Sequence, residues 1–173
     1  LQEKEERLEL AITAAQLGTW DWDIQSGRAV YNQRWGSMLG YNLQEINNEI
    51  NFWERLIHPD DSARVLKNLK DHLNGSSPFF ESEYRLQAKS GEWIWVLTKG
   101  KVIQRDPANR PVRACGTHLD ISERKKNQQE MKLYLDKIEE QKRFIQRVFD
   151  TSPNILFIMD IQKKSISSWN KRS

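Results

Sequence analysis

A single cysteine, Cys115, stands alone among 173 residues, so no internal disulfide can staple this chain. Histidine is nearly as scarce. His58, His72 and His118 are scattered, and with one thiol they offer no spacing that would hold a metal. Runs of aliphatic or aromatic residues are no longer than that from Ile155 to Met159, far short of the ~20 apolar residues a membrane helix needs. No direct membrane insertion is expected. An excess of one charge sign is also missing: the net charge is +3, with acidic residues interspersed almost everywhere, so nucleic acid is not an expected partner. The sequence holds no G-x-G-x-x-G, G-x-x-x-x-G-K-[ST] or G-x-S-x-G, which leaves phosphate cradles and nucleophile elbows without support. Opening on Leu1 rather than Met is what a segment of a longer protein would show, and the parent can carry an anchor of its own. The lone thiol fits a reducing, cytoplasmic setting.

What is abundant is core-forming material. Seven Trp and six Phe accompany 38% hydrophobic residues, enough for one domain with helix to spare. Residues 1–17 read as an amphipathic flanking helix with Leu1, Leu8, Ala11, Ile12 and Ala15 on one stripe, ended by Gly18. Trp20, Trp22 and Ile24 then alternate with polar residues, and Gln25-Ser26-Gly27 turns the chain toward Arg28 to Tyr31, a hairpin. Short helical pieces fill 32–59. Asp60 and Asp61 sit at the expected start of a further helix that Asn74-Gly75 stops. Three strands follow, Phe79 to Ala88, Glu92 to Gln104 and Val112 to Ile121, joined by turn-forming segments. The order predicts an α+β domain over 18–121, one antiparallel sheet with helices on one face. From Ser122 to about 150 no Pro or Gly interrupts a helical linker, whose Met131, Tyr134, Ile138, Gln141, Ile145 and Val148 recur at alternating spacings of three and four. That pattern is a heptad seam, and it predicts a short coiled coil between two copies of the chain.

An internal echo adds to this organisation. Asp23-Ile24-Gln25 followed by Tyr31-Asn32-Gln33-Arg34 returns as Asp160-Ile161-Gln162 followed by Trp169-Asn170-Lys171-Arg172. Residues 151–173 therefore read as the truncated start of a second domain of the same type.

Seven collinear motifs carry a family resemblance: Gly18-Thr19-Trp20-Asp21-Trp22-Asp23, Leu39-Gly40-Tyr41, His58-Pro59-Asp60-Asp61, Glu83-Tyr84-Arg85, Gly91-Glu92-Trp93-Ile94-Trp95, Gly116-Thr117-His118 and Asp120-Ile121-Ser122-Glu123-Arg124-Lys125. Over residues 10–125 the chain resembles PAS domains with the PAC motif, of the subfamily called PAS fold 3. The resemblance implies a five-stranded antiparallel sheet with helices on one face, a core able to hold a small ligand, and flanking helices that form dimers. It also implies a sensory role in a larger histidine kinase or cyclic-dinucleotide enzyme, which would carry the downstream output domain. In that family the Asp120-Ile121-Ser122 position is said to couple sheet to helix.

Each motif also has a plainer reading. Asp120 or Ser122 can simply cap the linker helix, with Asp120 free to pair with Arg124; a strand running straight into a seam-bearing helix favours capping plus signal relay through Asp120, Ile121, Ser122 and Arg124. His58-Pro59-Asp60-Asp61 reads as a loop-to-helix cap, and the acidic pairs Asp21/Asp23 and Asp60/Asp61 diverge too far to act as catalytic carboxylates. Cys115 reads as a buried structural thiol, on a strand face with Thr117, Leu119 and Ile121. The chain lacks the Asn-Cys-Arg-Phe context of blue-light flavin domains, which disfavours flavin. His72, expected solvated at a helix end, disfavours haem, and His118 resembles a family residue that is not a ligand. Trp20, Trp22, Trp93 and Trp95 read as core packing rather than a base-stacking platform.

No catalytic constellation emerges, so the chain is expected to sense rather than catalyse. Candidate pocket residues, from expected core-facing bulk and strand parity, are Trp35, Leu39, Leu56, Tyr84, Val96 and Thr98. The alternative is a dimerisation and protein-interaction module with no ligand.

Overall fold

The computed structural model describes residues 2–151, 157–160 and 165–169. It divides into two units, Leu1–Lys125 and Lys126–Ser173. The first holds helix α1 (Gln2–Ala14), strands β1 (Gly18–Asp23) and β2 (Ala29–Tyr31), helix α2 (Gln33–Met38), a 3-10 turn (Leu43–Glu45), helices α3 (Ile50–Leu56) and α4 (Pro59–Leu73), and strands β3 (Phe80–Gln87), β4 (Trp93–Arg105) and β5 (Pro111–Asp120). Helix α5 (Ser122–Thr151) begins in this unit and continues into the second.

The expected α+β architecture is present: one five-stranded antiparallel sheet in the order β2-β1-β5-β4-β3. The local hairpins β3/β4 and β4/β5 follow from their turns, but β1 lies beside β5, with Gly18 opposite His118 and Trp22 opposite Ala114. Alternation along the strands puts Trp20, Trp22, Tyr84, Leu86, Val96, Thr98, Ala114 and His118 on the buried face. Gly116 and Gly100 are register partners on that face, and a Cβ at either would stand 2.6 Å or less from the Trp20 ring. The missing side chains let the indole lie on the sheet.

Several local expectations need correction. The reversal after α1 is made by Gln16, at φ 52, not by Gly18; Gly18 lies inside β1, where a Cβ would come within 3.0 Å of the Trp35 Cα. The N-cap of α4 is His58 rather than Asp60 or Asp61: its Nδ1 accepts from the Asp60 N–H at 3.1 Å, and Pro59 takes the first helical position. Asp61 instead turns inward and accepts from both the Arg85 backbone N–H (3.1 Å) and its Nε (2.8 Å), fastening α4 to β3. Burial pushes the Asp61 carboxyl up, but the Arg85 bonds prevail and hold it below the usual range.

In the second unit α5 continues to Thr151, and β6 (Phe157–Asp160) pairs antiparallel with β7 (Ser165–Trp169). The echo residues Ile161, Gln162, Asn170, Lys171 and Arg172 lie outside the described residues. Among the described residues no helix is long and apolar enough to cross a membrane, and no cluster of His, Cys, Asp or Glu could hold a metal ion.

Candidate functional site

Two arrangements in the first unit are built for more than packing. One is an aromatic cluster between the helices and the sheet. Asn32 positions its first member: the side-chain oxygen accepts from Thr19 N–H and Trp35 N–H, each at 2.9 Å, and its amide donates to the Leu17 carbonyl at 3.1 Å. One side chain therefore caps α2 and pins it to β1. Trp35 then donates its indole N–H to His118 Nδ1 at 3.1 Å, Tyr84 Oη lies 2.7 Å from His118 Nε2, and Trp53 donates to that Oη at 2.9 Å. An indole can only donate, so Nδ1 must be the acceptor and the neutral ring must carry its proton on Nε2, donating to Tyr84. Burial lowers the His118 pKa to about 3. A second proton would have to sit on Nδ1, facing the Trp35 N–H.

Beside this chain lies a cavity of ≈ 20 Å³, lined among others by Trp20, Trp22, Tyr31, Trp53, Phe80 and His118. Three of these residues carry buried polar atoms without a hydrogen-bond partner among the described residues: Trp20 Nε1, Trp22 Nε1 and Tyr31 Oη. Burial also raises the Tyr31 pKa, so the phenol stays protonated and able to donate.

The second arrangement is the β5-to-α5 junction. Trp95, on β4, accepts from the Ile121 N–H at 2.8 Å through its carbonyl and donates its own N–H to Ser122 Oγ at 3.0 Å. Asp120 Oδ1 accepts from the Ser122 N–H at 2.8 Å. Arg124 does not pair with Asp120; it reaches Glu83 on β3 at 2.5 Å, and Lys125 reaches the other Glu83 oxygen at 2.6 Å. Lys125 and Arg85 also stand 4.8 Å and 5.3 Å from the centre of the Trp95 ring. The Lys125 bond first, then that of Arg124, hold the Glu83 carboxyl below its ordinary value against the effect of burial.

Trp35, Leu39, Tyr84, Val96 and Thr98 are wholly buried and Leu56 nearly so, yet none of the six lines the cavity. Tyr84 and Trp35 enter the hydrogen-bonded chain; Thr98 donates to the Thr117 carbonyl at 3.3 Å. Ile121 is buried, while Asp120, Ser122 and Arg124 meet at the junction. The seam residues Met131, Tyr134, Ile138, Ile145 and Val148 are 41% to 63% exposed on α5.

Other expectations fail. Cys115 is only half-buried, because its parity puts it on the outer face of β5. Trp93 is 39% exposed and Trp95 half-buried, both on the face opposite Val96 and Thr98. His72 is not solvated: it is 4% exposed, with Nδ1 2.9 Å from the Ser77 carbonyl and Nε2 accepting from Val102 N–H at 3.0 Å. The sequence pattern does not mark His118, Trp53, Tyr31 or Glu83 as site residues. A signal for His118 existed, since its parity groups it with the small residues Ala114 and Gly116, the sort of positions that admit bulk from a neighbouring strand.

The sequence profile described as PAS fold matches residues 28–118, more than half of the chain. A sensory box histidine kinase/response regulator of known structure from Burkholderia thailandensis superposes with a TM-score of 0.68 at 30% identity, covering 78% of this chain and 98% of that one. The N-terminal domain of a diguanylate cyclase with PAS/PAC sensor from Marinobacter aquaeolei shares the fold, with a TM-score of 0.55 at 21% identity over 61% of this chain and 95% of that one. The peroxide stress-activated histidine kinase mak3 of Schizosaccharomyces pombe is 35% identical over 111 residues, 64% of this chain but 4% of that kinase.

Proposed function

The chain belongs to the PAS-fold family, and from that premise we propose that it is the sensory module of a larger, cytoplasmically oriented signalling protein of histidine kinase or cyclic-dinucleotide type. Its core takes a small ligand, and its junction passes the consequence to helices that pair in a homodimer. The observation that carries this reading is the clamp at the start of α5. The backbone of Trp95 and the carboxylate of Glu83 belong to β4 and β3, and both hold residues 121–125. A shift of those strands must move the first turn of α5 or break charge-assisted bonds. On this reading Asp120 to Lys125 serve as the PAC-type handover, and the β6/β7 pair with its sequence echo is the start of a second domain of the same kind.

Native mass spectrometry with an absorbance spectrum on freshly purified chain tests the sensing half. A co-purifying non-protein mass whose removal changes amide exchange across residues 122–130 is the expected result; exchange that is identical with and without it would defeat the relay. For the clamp, Glu83→Gln should cost little stability, about 0.5 kcal/mol for a part-exposed ion pair. It should nevertheless speed exchange in the first turn of α5 several-fold.

A second reading, a ligand-free dimerisation module, draws on the small size of the cavity, ≈ 20 Å³, and on the exposed α5 stripe. Both readings need the seam. Replacing Ile138 and Ile145 together with Glu puts charge into it and should convert dimer to monomer in sedimentation; an unchanged dimer removes α5 from that role.

A further inference from the structure

Arg85 is tied to the start of α4 at three points. Its carbonyl accepts from the His58 N–H at 3.0 Å, its own N–H donates to Asp61 Oδ2 at 3.1 Å, and its Nε donates to the same oxygen at 2.8 Å. Asp61 is buried, so its hold on the guanidinium is little screened. Asp60, 3.6 Å from Arg85 but on an exposed side chain, adds little. Helix α4 is itself set against the core by Val65 and Leu69. The guanidinium therefore follows wherever the core places α4.

Glu83 stands two residues before Arg85 on the same face of β3, their register partners being Leu97 and Trp95. Two strand positions span about 7 Å, within the swing of an arginine side chain. Glu83 is also the carboxylate that holds Arg124 at 2.5 Å and Lys125 at 2.6 Å, and both Lys125 and Arg85 lie against the Trp95 ring. One guanidinium thus has two carboxylates in reach, one on α4 and one on β3. It is paired with the first while the second is paired with α5.

Resting on the clamp reading above, we propose that Arg85 is a switch between α4 and α5. Bound to Asp61, it leaves Glu83 to hold the first turn of α5; when α4 draws Asp61 away, it turns to Glu83, displaces Arg124 and Lys125, and frees that turn. Arg85 exchanges one charge-assisted bond for another. The displaced Lys125 ammonium regains the strong hydration that such a group has in water. A movement of α4 is in this way passed around the edge of the sheet to α5 with the strand hydrogen bonds left in place.

The test is amide exchange across residues 122–130 of the whole chain with Asp61→Asn, Arg85→Gln and both together. Asp61→Asn should speed exchange about two- to fivefold, the effect of losing a part-exposed ion pair. Arg85→Gln breaks the same Asp61 pair, yet by itself it should leave exchange at the native rate, and added to Asp61→Asn it should restore that rate. Simple loosening of α4 from β3 gives another pattern, in which both single substitutions speed exchange and the double one does not recover. That pattern, or native exchange in Asp61→Asn, would overturn the switch. A second measurement leaves α4 untouched, so it holds even where Asp61→Asn does not fold: in Arg124→Gln with Lys125→Gln, a nuclear Overhauser contact from Arg85 Nε–H to the Glu83 methylenes should appear that the native chain lacks. Its absence would also sink the proposal. Glu83→Gln separates the switch from the clamp beneath it. Native exchange in that variant defeats the clamp reading, whereas faster exchange there with none in Asp61→Asn defeats the switch alone.

Discussion

The same residue types meet two different fates a few ångströms apart in this core. Trp35, Trp53, Tyr84 and His118 close a hydrogen-bonded chain that joins α2 and α3 to β5 and β3. Trp20, Trp22 and Tyr31, also buried, have polar side-chain atoms with no hydrogen-bond partner among the described residues. The difference lies in what faces them. The first set lies in line with the two nitrogens of His118, one accepting and one donating; the second meets aromatic and aliphatic side chains and the same imidazole, whose nitrogens are already engaged. A protein built only for stability would have phenylalanine in the second set, since a buried donor without an acceptor costs about 1–3 kcal/mol.

One pair of identical substitutions breaks this comparison open. Tyr84→Phe strands both the Trp53 indole N–H and the His118 Nε2 proton, so it should destabilise the fold by about 2–4 kcal/mol in urea unfolding. A loss under about 1 kcal/mol would mean that the chain of bonds contributes little.

Acid should attack the satisfied set next. With its folded pKa lowered to about 3 from 6.5, His118 is protonated more readily in the unfolded chain, so its contribution is complete above about pH 6.5 and is lost progressively as pH falls toward 3. From about pH 7 to about pH 5 this one group should remove about 2 kcal/mol. Asp61 and Glu83, held below their ordinary values, add their own losses as the pH falls into and below the ordinary carboxylate range, where the unfolded chain protonates first. His118→Asn should flatten the curve between pH 7 and 5; an unchanged slope would assign the loss elsewhere.

The smallest effect belongs to the unsatisfied set. Tyr31→Phe removes a hydroxyl that has no partner and should leave stability unchanged or raise it by up to about 1 kcal/mol. A loss comparable with that of Tyr84→Phe would show that Tyr31 is partnered in solution.

Much of this was legible residue by residue. The alternation of Trp20 and Trp22, the three later strands, the helix stop at Asn74-Gly75 and the long α5 all follow from periodicity and turn chemistry. The candidate pocket was harder. Bulk and parity offer Trp35, Leu39, Leu56, Tyr84, Val96 and Thr98 as pocket candidates, but the cavity is lined instead by residues of β1, β2, β3, β5, α3 and α4 that approach one another only in the folded chain. Parity assigns two faces to a strand without saying which is buried; Cys115, Trp93 and Trp95 went astray for that reason. His72 was misplaced because its helix-end position was visible while its acceptor role toward Val102, thirty residues on, was not.

The sequence by itself determined the elements, their order and the exposed apolar stripe on α5, because these depend on contacts a few residues apart and on the periods of helix and strand. Only the tertiary structure decided that β1 lies beside β5, that His118 faces Trp35 and Tyr84, and that Glu83 holds Arg124 and Lys125. Those pairings join residues 34 to 100 positions apart, and a local pattern carries no information about which distant partner the folded sheet will bring into contact.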